Sequence, residues 1–365
     1  MGTRPEVIKM APVVTELRNH SSRVRSVVCV TGQHRELLDQ SLNTFGIKPD
    51  YDLKVLEEDQ TLSQLTINLF KSVENIVKRI KPKWIVAEGD TTTVLVAALV
   101  SYYHKVSFGH VEAGLRTGDK YRPFPEEINR RIADHIADVL FAPTEENRHN
   151  LIREGISEQS ILVTGNTVID ALLQASKMNY DWVAGPLSRV PKDKRLVLVT
   201  AHRRESFGEP LREICFAIKE LSLRFGPEGY QFVYPVHLNP NVQKPVKEIL
   251  SRAPYVSLIR PLDYLSMVHL MKSSFLILTD SGGIQEEAPS LGVPVLVMRE
   301  TTERPEAIEA GVSKLVGTVR RRIVREAARL LENSAEYASM ATKKNPYGDG
   351  KAAQRIVSYL VEHAN

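Results

Sequence analysis

Cysteine is nearly absent. Only Cys29 and Cys215 occur in 365 residues, far apart and each within an apolar stretch. That excludes a disulfide framework and reads as two small core residues in a reducing compartment. No apolar run reaches the length of a membrane span and no signal-peptide pattern opens the chain, so no membrane partner is expected and the cytoplasm is the expected location. Lys/Arg runs interleaved with aromatics are missing, and the net charge is only +4. Nucleic acid is therefore not an expected partner, and the small cation excess suits a phosphorylated small molecule instead. There is no G-x-G-x-x-G, no Walker lysine motif, no His-Glu-x-x-His and no Cys-x-x-Cys. These absences argue against NAD, ATP-driven phosphoryl transfer and a required metal.

What remains is an ordinary globular composition, 42% hydrophobic and 25% charged, in a chain long enough for two domains. Short β-rich runs at 24–30, 84–87, 106–110, 139–142 and 161–163 alternate with helical patterns at 61–80, 92–103, 126–138 and 144–154. After a break come strand runs at 196–200, 231–236, 256–259, 275–279 and 294–298, with helical patterns at 210–225, 264–273 and 321–332. Such alternation implies parallel sheets covered on both faces. The expected fold is α/β: two Rossmann-like, doubly wound domains with a cleft between them. The expected divisions are an N-terminal domain at 1–170, a nucleotide-binding domain at 171–348, and a last helix at 349–365 free to return to the first domain. The opening Gly2-Thr3-Arg4-Pro5-Glu6 is a loop-to-helix signal with no strand before it. Either a first strand is missing there or the sheet lacks that member; if it is truly absent, weakened folding and a loosely held Arg4 are expected.

Several motifs fall at expected strand ends, where open parallel sheets keep their ligands. His110-Val111-Glu112-Ala113-Gly114-Leu115-Arg116-Thr117-Gly118 follows the strand run at 106–110, and Pro125-Glu126-Glu127 closes the following loop. Two carboxylates, Glu112 and Glu126, facing one substrate suit proton removal on one side and return on the other. The plainer alternative is a surface loop whose acids pair with Arg116, Arg122, Arg130 and Arg131. Asp90 follows the strand run at 84–87 and serves equally as an N-cap of the next helix. His202-Arg203-Arg204-Glu205 puts an imidazole among arginines, fit to hold phosphate or carry a proton. Asp280-Ser281-Gly282-Gly283 is a strand–glycine–helix turn of the kind that cradles phosphate, with Ser281 also readable as a plain N-cap. Glu287, nearly two turns on, suits a ribose diol. Arg4 and Lys9 place two cations at a helix start, where a guanidinium suits a diphosphate.

Taken together these motifs resemble the non-hydrolysing UDP-N-acetylglucosamine 2-epimerase family. The resemblance runs nearly end to end. It includes Thr31-Gly32-Gln33-His34, Gly89-Asp90-Thr91, Gly165-Asn166, Thr301-Thr302-Glu303-Arg304-Pro305-Glu306 and Asn345-Pro346-Tyr347-Gly348 besides those above. It implies a glycosyltransferase-B-like fold, a homodimer, no redox cofactor, and interconversion of UDP-N-acetylglucosamine and UDP-N-acetylmannosamine. It further implies catalytic roles for Asp90, Glu112, Glu126 and His202, without saying which carboxylate is acid and which base. Arg4, Lys9 and His202 would contact diphosphate or sugar, Ser281, Gly282 and Gly283 the phosphates, Glu287 the ribose, and Arg304 the nucleotide. The uracil pocket would run from Leu262 to Met267, where some relatives have Gln and Phe. Gln33, His34 and Arg35 match part of an allosteric site for UDP-N-acetylglucosamine, with Glu36 standing where some members have Gln. Three alternatives remain: a hydrolysing relative that frees the sugar, a sugar-nucleotide binder without catalysis, and a glycosyltransferase.

Overall fold

The computed structural model describes residues 1–32, 35–55 and 59–364. The chain divides into two compact units, one of residues 1–174 and 347–365, the other of residues 175–346.

The described strands of the first unit are β1 (Cys29–Val30), β2 (Tyr51–Asp52), β3 (Trp84–Glu88), β4 (Ser107–Val111), β5 (Val139–Ala142) and β6 (Ile161–Val163). Strands β3 to β6 form a parallel four-stranded sheet in that order, and β1 pairs β2 in a separate parallel pair. Side chains alternate along each strand. From β3, Ile85 and Ala87 pack with Phe108, Val94, Ala98 and Ala133 under the helices Thr92–His104 and Glu126–Ile136. Trp84 and Val86 turn the other way, towards a cluster of Val111, Val139 and Phe141 with Met10, Val13, Ile356 and Leu360. That second layer joins the first helix, Arg4–Asn19, to the last, Ala352–Glu362. The last helix is fastened at its start by Asp170, which accepts from the backbone N–H of Ala352 (3.2 Å) and Ala353 (2.9 Å).

The strand expected at 24–30 is shorter than its apolar run, covering Cys29–Val30 only. At the chain start, Met1 lies beside it: its ammonium donates to the Cys29 carbonyl and its own carbonyl accepts from Thr31. The helix then begins at once, with Pro5 in its first turn.

The second unit holds β7 (Arg195–Thr200), β8 (Tyr230–Pro235), β9 (Val256–Ile259), β10 (Ser274–Thr279), β11 (Val295–Val297) and β12 (Ser313–Leu315). All pairs are parallel, in the order β9-β8-β7-β10-β11-β12. This is the doubly wound order, whose direction reverses between β7 and β10; ligands of such sheets bind outside the carboxyl ends of the strands at that reversal. Both central strands are almost wholly buried, which is why they read as continuous apolar runs. Val197, Val199, Phe232, Tyr234, Leu276 and Leu278 form one core with the helices Glu209–Phe225, Pro240–Leu250 and Arg320–Glu332. Cys215 lies inside it as a free thiol that burial pushes up to about 12.

Candidate active site

In the first unit the carboxyl ends of β3 and β4 bring acids together. Glu88 is the last residue of β3, and Glu112 follows β4 directly. Glu112 adopts φ +67°, a left-handed backbone that costs a non-glycine residue of order 1 kcal/mol or more and that clusters at functional sites. Its carboxylate is held from two sides. Lys9, from the first helix, donates to it, and Asn166 Nδ2 donates at 3.0 Å. Lys9 Nζ also lies 3.2 Å from Glu88 Oε1. Glu88 is fully enclosed. Burial, and secondarily the neighbouring Glu112 and Glu6, push its carboxyl well above the usual range against the opposing pull of Lys9. Lys9 thus bridges two carboxylates in this structure, rather than standing as an open cation.

Asp90 is not the helix cap. That position is Thr91, and the Asp90 carboxylate pairs instead with Arg130 at 2.7 Å. Asn129 Nδ2 donates to the Asp90 carbonyl at 3.0 Å. Both partners lie on the helix that Glu126 begins. Glu126 Oε2 is buried and without a hydrogen-bond partner among the described residues. The next residue, Glu127, accepts from the backbone of Thr117 (3.2 Å) and Gly118 (3.4 Å), fastening the loop between the two motifs. The nearby arginines have other carboxylates: Arg116 pairs with Asp134 and Glu154, Arg131 with Glu154, Arg122 with Asp119. Glu112 is paired with Lys9.

In the second unit the site sits at the β7/β10 reversal. Asp280, wholly buried after β10, accepts from the backbone N–H of His202 (2.6 Å) and Arg203 (2.8 Å) after β7. The His202 ring stacks on His237 with centroids 5.4 Å apart. Burial, and then the charges of His237 and Arg203, outweigh the pull of Asp280 and hold its pKa below the usual value. A neutral imidazole there can accept a proton as well as donate one.

Ser281 is the N-cap of the short helix Gly282–Glu287, but its hydroxyl makes no capping bond. A side chain at Gly282 would meet Arg203 Nη2 and Arg304 Cζ, each 3.4 Å from the added carbon. Two guanidinium groups therefore close on this glycine turn. Arg304 is itself steered by Glu286, which accepts from its Nε at 2.6 Å. Glu287 accepts from the Tyr264 hydroxyl at 3.0 Å. Tyr264 begins the helix Tyr264–Lys272, capped by Asp263. Leu262 is buried just before it and Met267 is half-buried within it. Arg4 opens the first helix and is half-buried. Gln33, His34 and the side chain of Arg35 lie outside the described residues.

Reading the sequence missed Glu88, Asp134 and Tyr264 as parts of these arrangements, and quoted Asp280 within its motif without giving it a role. Glu88 left a signal, a carboxylate ending a run of strand residues. So did Asp134, which stands eight residues after Glu126 and so on the same face of the helix.

The family model for UDP-N-acetylglucosamine 2-epimerase matches residues 15–361. The UDP-N-acetylglucosamine 2-epimerase of Escherichia coli O157:H7 is 50% identical, covering 98% of this chain and 96% of its own length. That of Campylobacter jejuni is 48% identical, covering 100% and 97%. The crystal structure of UDP-GlcNAc 2-epimerase from Neisseria meningitidis bound to UDP-GlcNAc superposes with a TM-score of 0.87 at 45% identity, over 99% of this chain and 98% of that one. A strand-end pair of carboxylates, a doubly wound unit with an arginine-flanked glycine turn, and a match over nearly the whole length agree: the chain belongs to the UDP-N-acetylglucosamine 2-epimerase family.

Proposed function

We propose that the chain interconverts UDP-N-acetylglucosamine and UDP-N-acetylmannosamine by elimination and re-addition of UDP. A base removes the proton on C2, its electron pair forms the C1–C2 double bond, and the C1–O bond breaks with its electrons leaving on UDP. The 2-acetamidoglucal formed then takes UDP back at C1 as C2 is protonated on the other face. UDP as leaving group makes the C2 proton removable, so the chemistry calls for no redox cofactor. The observation that carries this reading is Glu112, strained in backbone and fastened by Lys9 and Asn166 at the end of β4.

Asp90, Glu112 and Glu126 serve as the proton-transfer groups. Two of them are held in different surroundings, Glu112 by an ammonium and Asp90 by a guanidinium, as acid and base roles require. The second unit takes the nucleotide. Ser281, Gly282 and Gly283 present backbone N–H groups to the diphosphate, Arg304 supplies positive charge, and Glu287 holds the ribose. Leu262 to Met267 covers the uracil, and His202 attends the diphosphate.

The reading extends to a homodimer, supported by exposed Ile67, Tyr102 and Tyr103 on the helices Leu62–Ile80 and Thr92–His104. It also extends to the cytoplasm, supported by two unpaired cysteines. No described helix is long and apolar enough to cross a membrane.

The test is incubation with UDP-N-acetylglucosamine in deuterated water, followed by proton NMR. Appearance of UDP-N-acetylmannosamine carrying deuterium at C2 is expected. Free N-acetylmannosamine would instead mark a hydrolysing enzyme, and bound UDP without C2 exchange a binding protein.

A further inference from the structure

His110 is the penultimate residue of β4 and wholly buried, yet no step above uses it. Its two ring nitrogens are both engaged. Nδ1 lies 2.6 Å from Asp134 Oδ1 and Nε2 lies 2.7 Å from the Gly89 carbonyl oxygen. A carbonyl oxygen only accepts, so Nε2 carries a proton. Asp134 also receives Arg116 Nη2 at 2.7 Å and the Gly114 N–H at 3.3 Å, contacts that suit an ionised carboxylate, so Nδ1 carries a proton as well. The ring is then an imidazolium.

Its neighbours on every side fit that charge. Asp134 comes from the helix Glu126–Ile136 and Asp90 from the turn after β3, while the one cation close by, Arg116, is held on the far oxygen of Asp134. Phe108 stacks on the ring at 6.0 Å. Burial alone would lower the imidazole's pKa, but the Asp134 carboxylate, the Gly89 carbonyl and Asp90 together hold it above the usual value.

The contacts reach both turns that present the candidate carboxylates. The Nε2 bond fixes Gly89, one residue before Asp90. Through Asp134 the same ring is tied to Gly114, two residues after Glu112. The helix that supplies Asp134 also supplies Asn129 and Arg130 to Asp90.

We propose that His110 is a positioning residue: an imidazolium that clamps the turns bearing Asp90 and Glu112 to the helix begun by Glu126. The inference rests on the assignment of Asp90 and Glu112 made above. It places a fixed positive charge beside the proton-transfer groups without contact to substrate. A clamp of this kind governs turnover more than binding, because displacement of a reacting group by about 1 Å costs on the order of 100-fold in rate.

The test uses the full chain labelled with 13C and 15N, with the His110 ring signals assigned in the unaltered chain through its own backbone. Both ring nitrogens of His110 should be protonated at neutral pH, where free histidine is mostly uncharged. His110→Gln should lower kcat about 100-fold while KM and UDP affinity change little. In Asp134→Asn the ring loses its counter-ion, and kcat should gain an alkaline fall across the range in which free histidine titrates. A neutral His110 ring in the unaltered chain overturns the proposal whether or not either variant folds. So does wild-type kcat in His110→Gln, or an unchanged pH profile in Asp134→Asn. An unaltered chain that binds UDP but exchanges no C2 proton would overturn the functional reading instead, and the ring spectrum would still decide the protonation of His110.

Discussion

A carboxylate acts as a proton carrier only if its surroundings leave it both reachable and poised. Glu112 meets that condition through residues far away in the chain. Lys9 stands 103 positions before it and Asn166 stands 54 after it. Glu112→Gln keeps an oxygen for both donors but cannot take a proton. It should lower kcat by roughly 10²- to 10⁴-fold with UDP affinity unchanged, read by C2 exchange and by calorimetry. Exchange at the wild-type rate would remove Glu112 from the chemistry. The same long separations explain what was hidden at the residue scale. The strand-end acids Glu112 and Asp90 were legible because a polar residue after an apolar run announces a sheet edge. The partner of Lys9 was not, since nothing local to Lys9 distinguishes a cation facing phosphate from one facing two carboxylates.

Elements follow the same logic. The central strands of each sheet were legible as apolar runs because burial on both faces removes the polar alternation. The two-residue β2 and three-residue β12 were not, for Tyr51–Asp52 and Ser313–Leu315 are too short and too polar to stand out. The helix Pro240–Leu250 was hidden by Pro245 in its interior. The helix Glu145–Arg153 starts from Thr144, which closes a capping box with Asn147.

That last helix also constrains the turn behind Glu112. Gly114 has φ +86°, and a Cβ there would lie 2.3 Å from the carbonyl oxygen of Asn147. Backbone cannot yield as a flexible side chain would. Gly114→Ala should cost at least about 2 kcal/mol, combining left-handed strain with a clash. The urea midpoint measures this, and a midpoint unchanged from wild type would mean that the turn relaxes freely. Glycine here is thus a condition of bringing the Glu112 turn against its supporting helix.

Across the whole molecule, the first unit is assembled from both ends of the chain and the second is a single span between them. Asp170 is the fastening: its carboxylate satisfies the first two N–H groups of the helix Ala352–Glu362, which is the service of an N-cap provided from elsewhere in the chain. Asp170→Ala should cost about 1–2 kcal/mol and raise amide exchange in that helix before exchange rises in β7 to β10. Uniform exchange across both units would show that the fastening is not local. The chain passes between the units at 174/175 and 346/347, and a returning helix leaves no mark of its destination in its own residues.

This threading has a consequence in time. During synthesis the span 175–346 leaves the ribosome complete, with every strand of its sheet, while the first unit still lacks the helix that closes one face of its core. A domain folds as a unit once its chain is available. The span 175–346 therefore matures first, although it is made second, and the carboxylate-bearing unit waits, unsealed, for the helix Ala352–Glu362 to emerge.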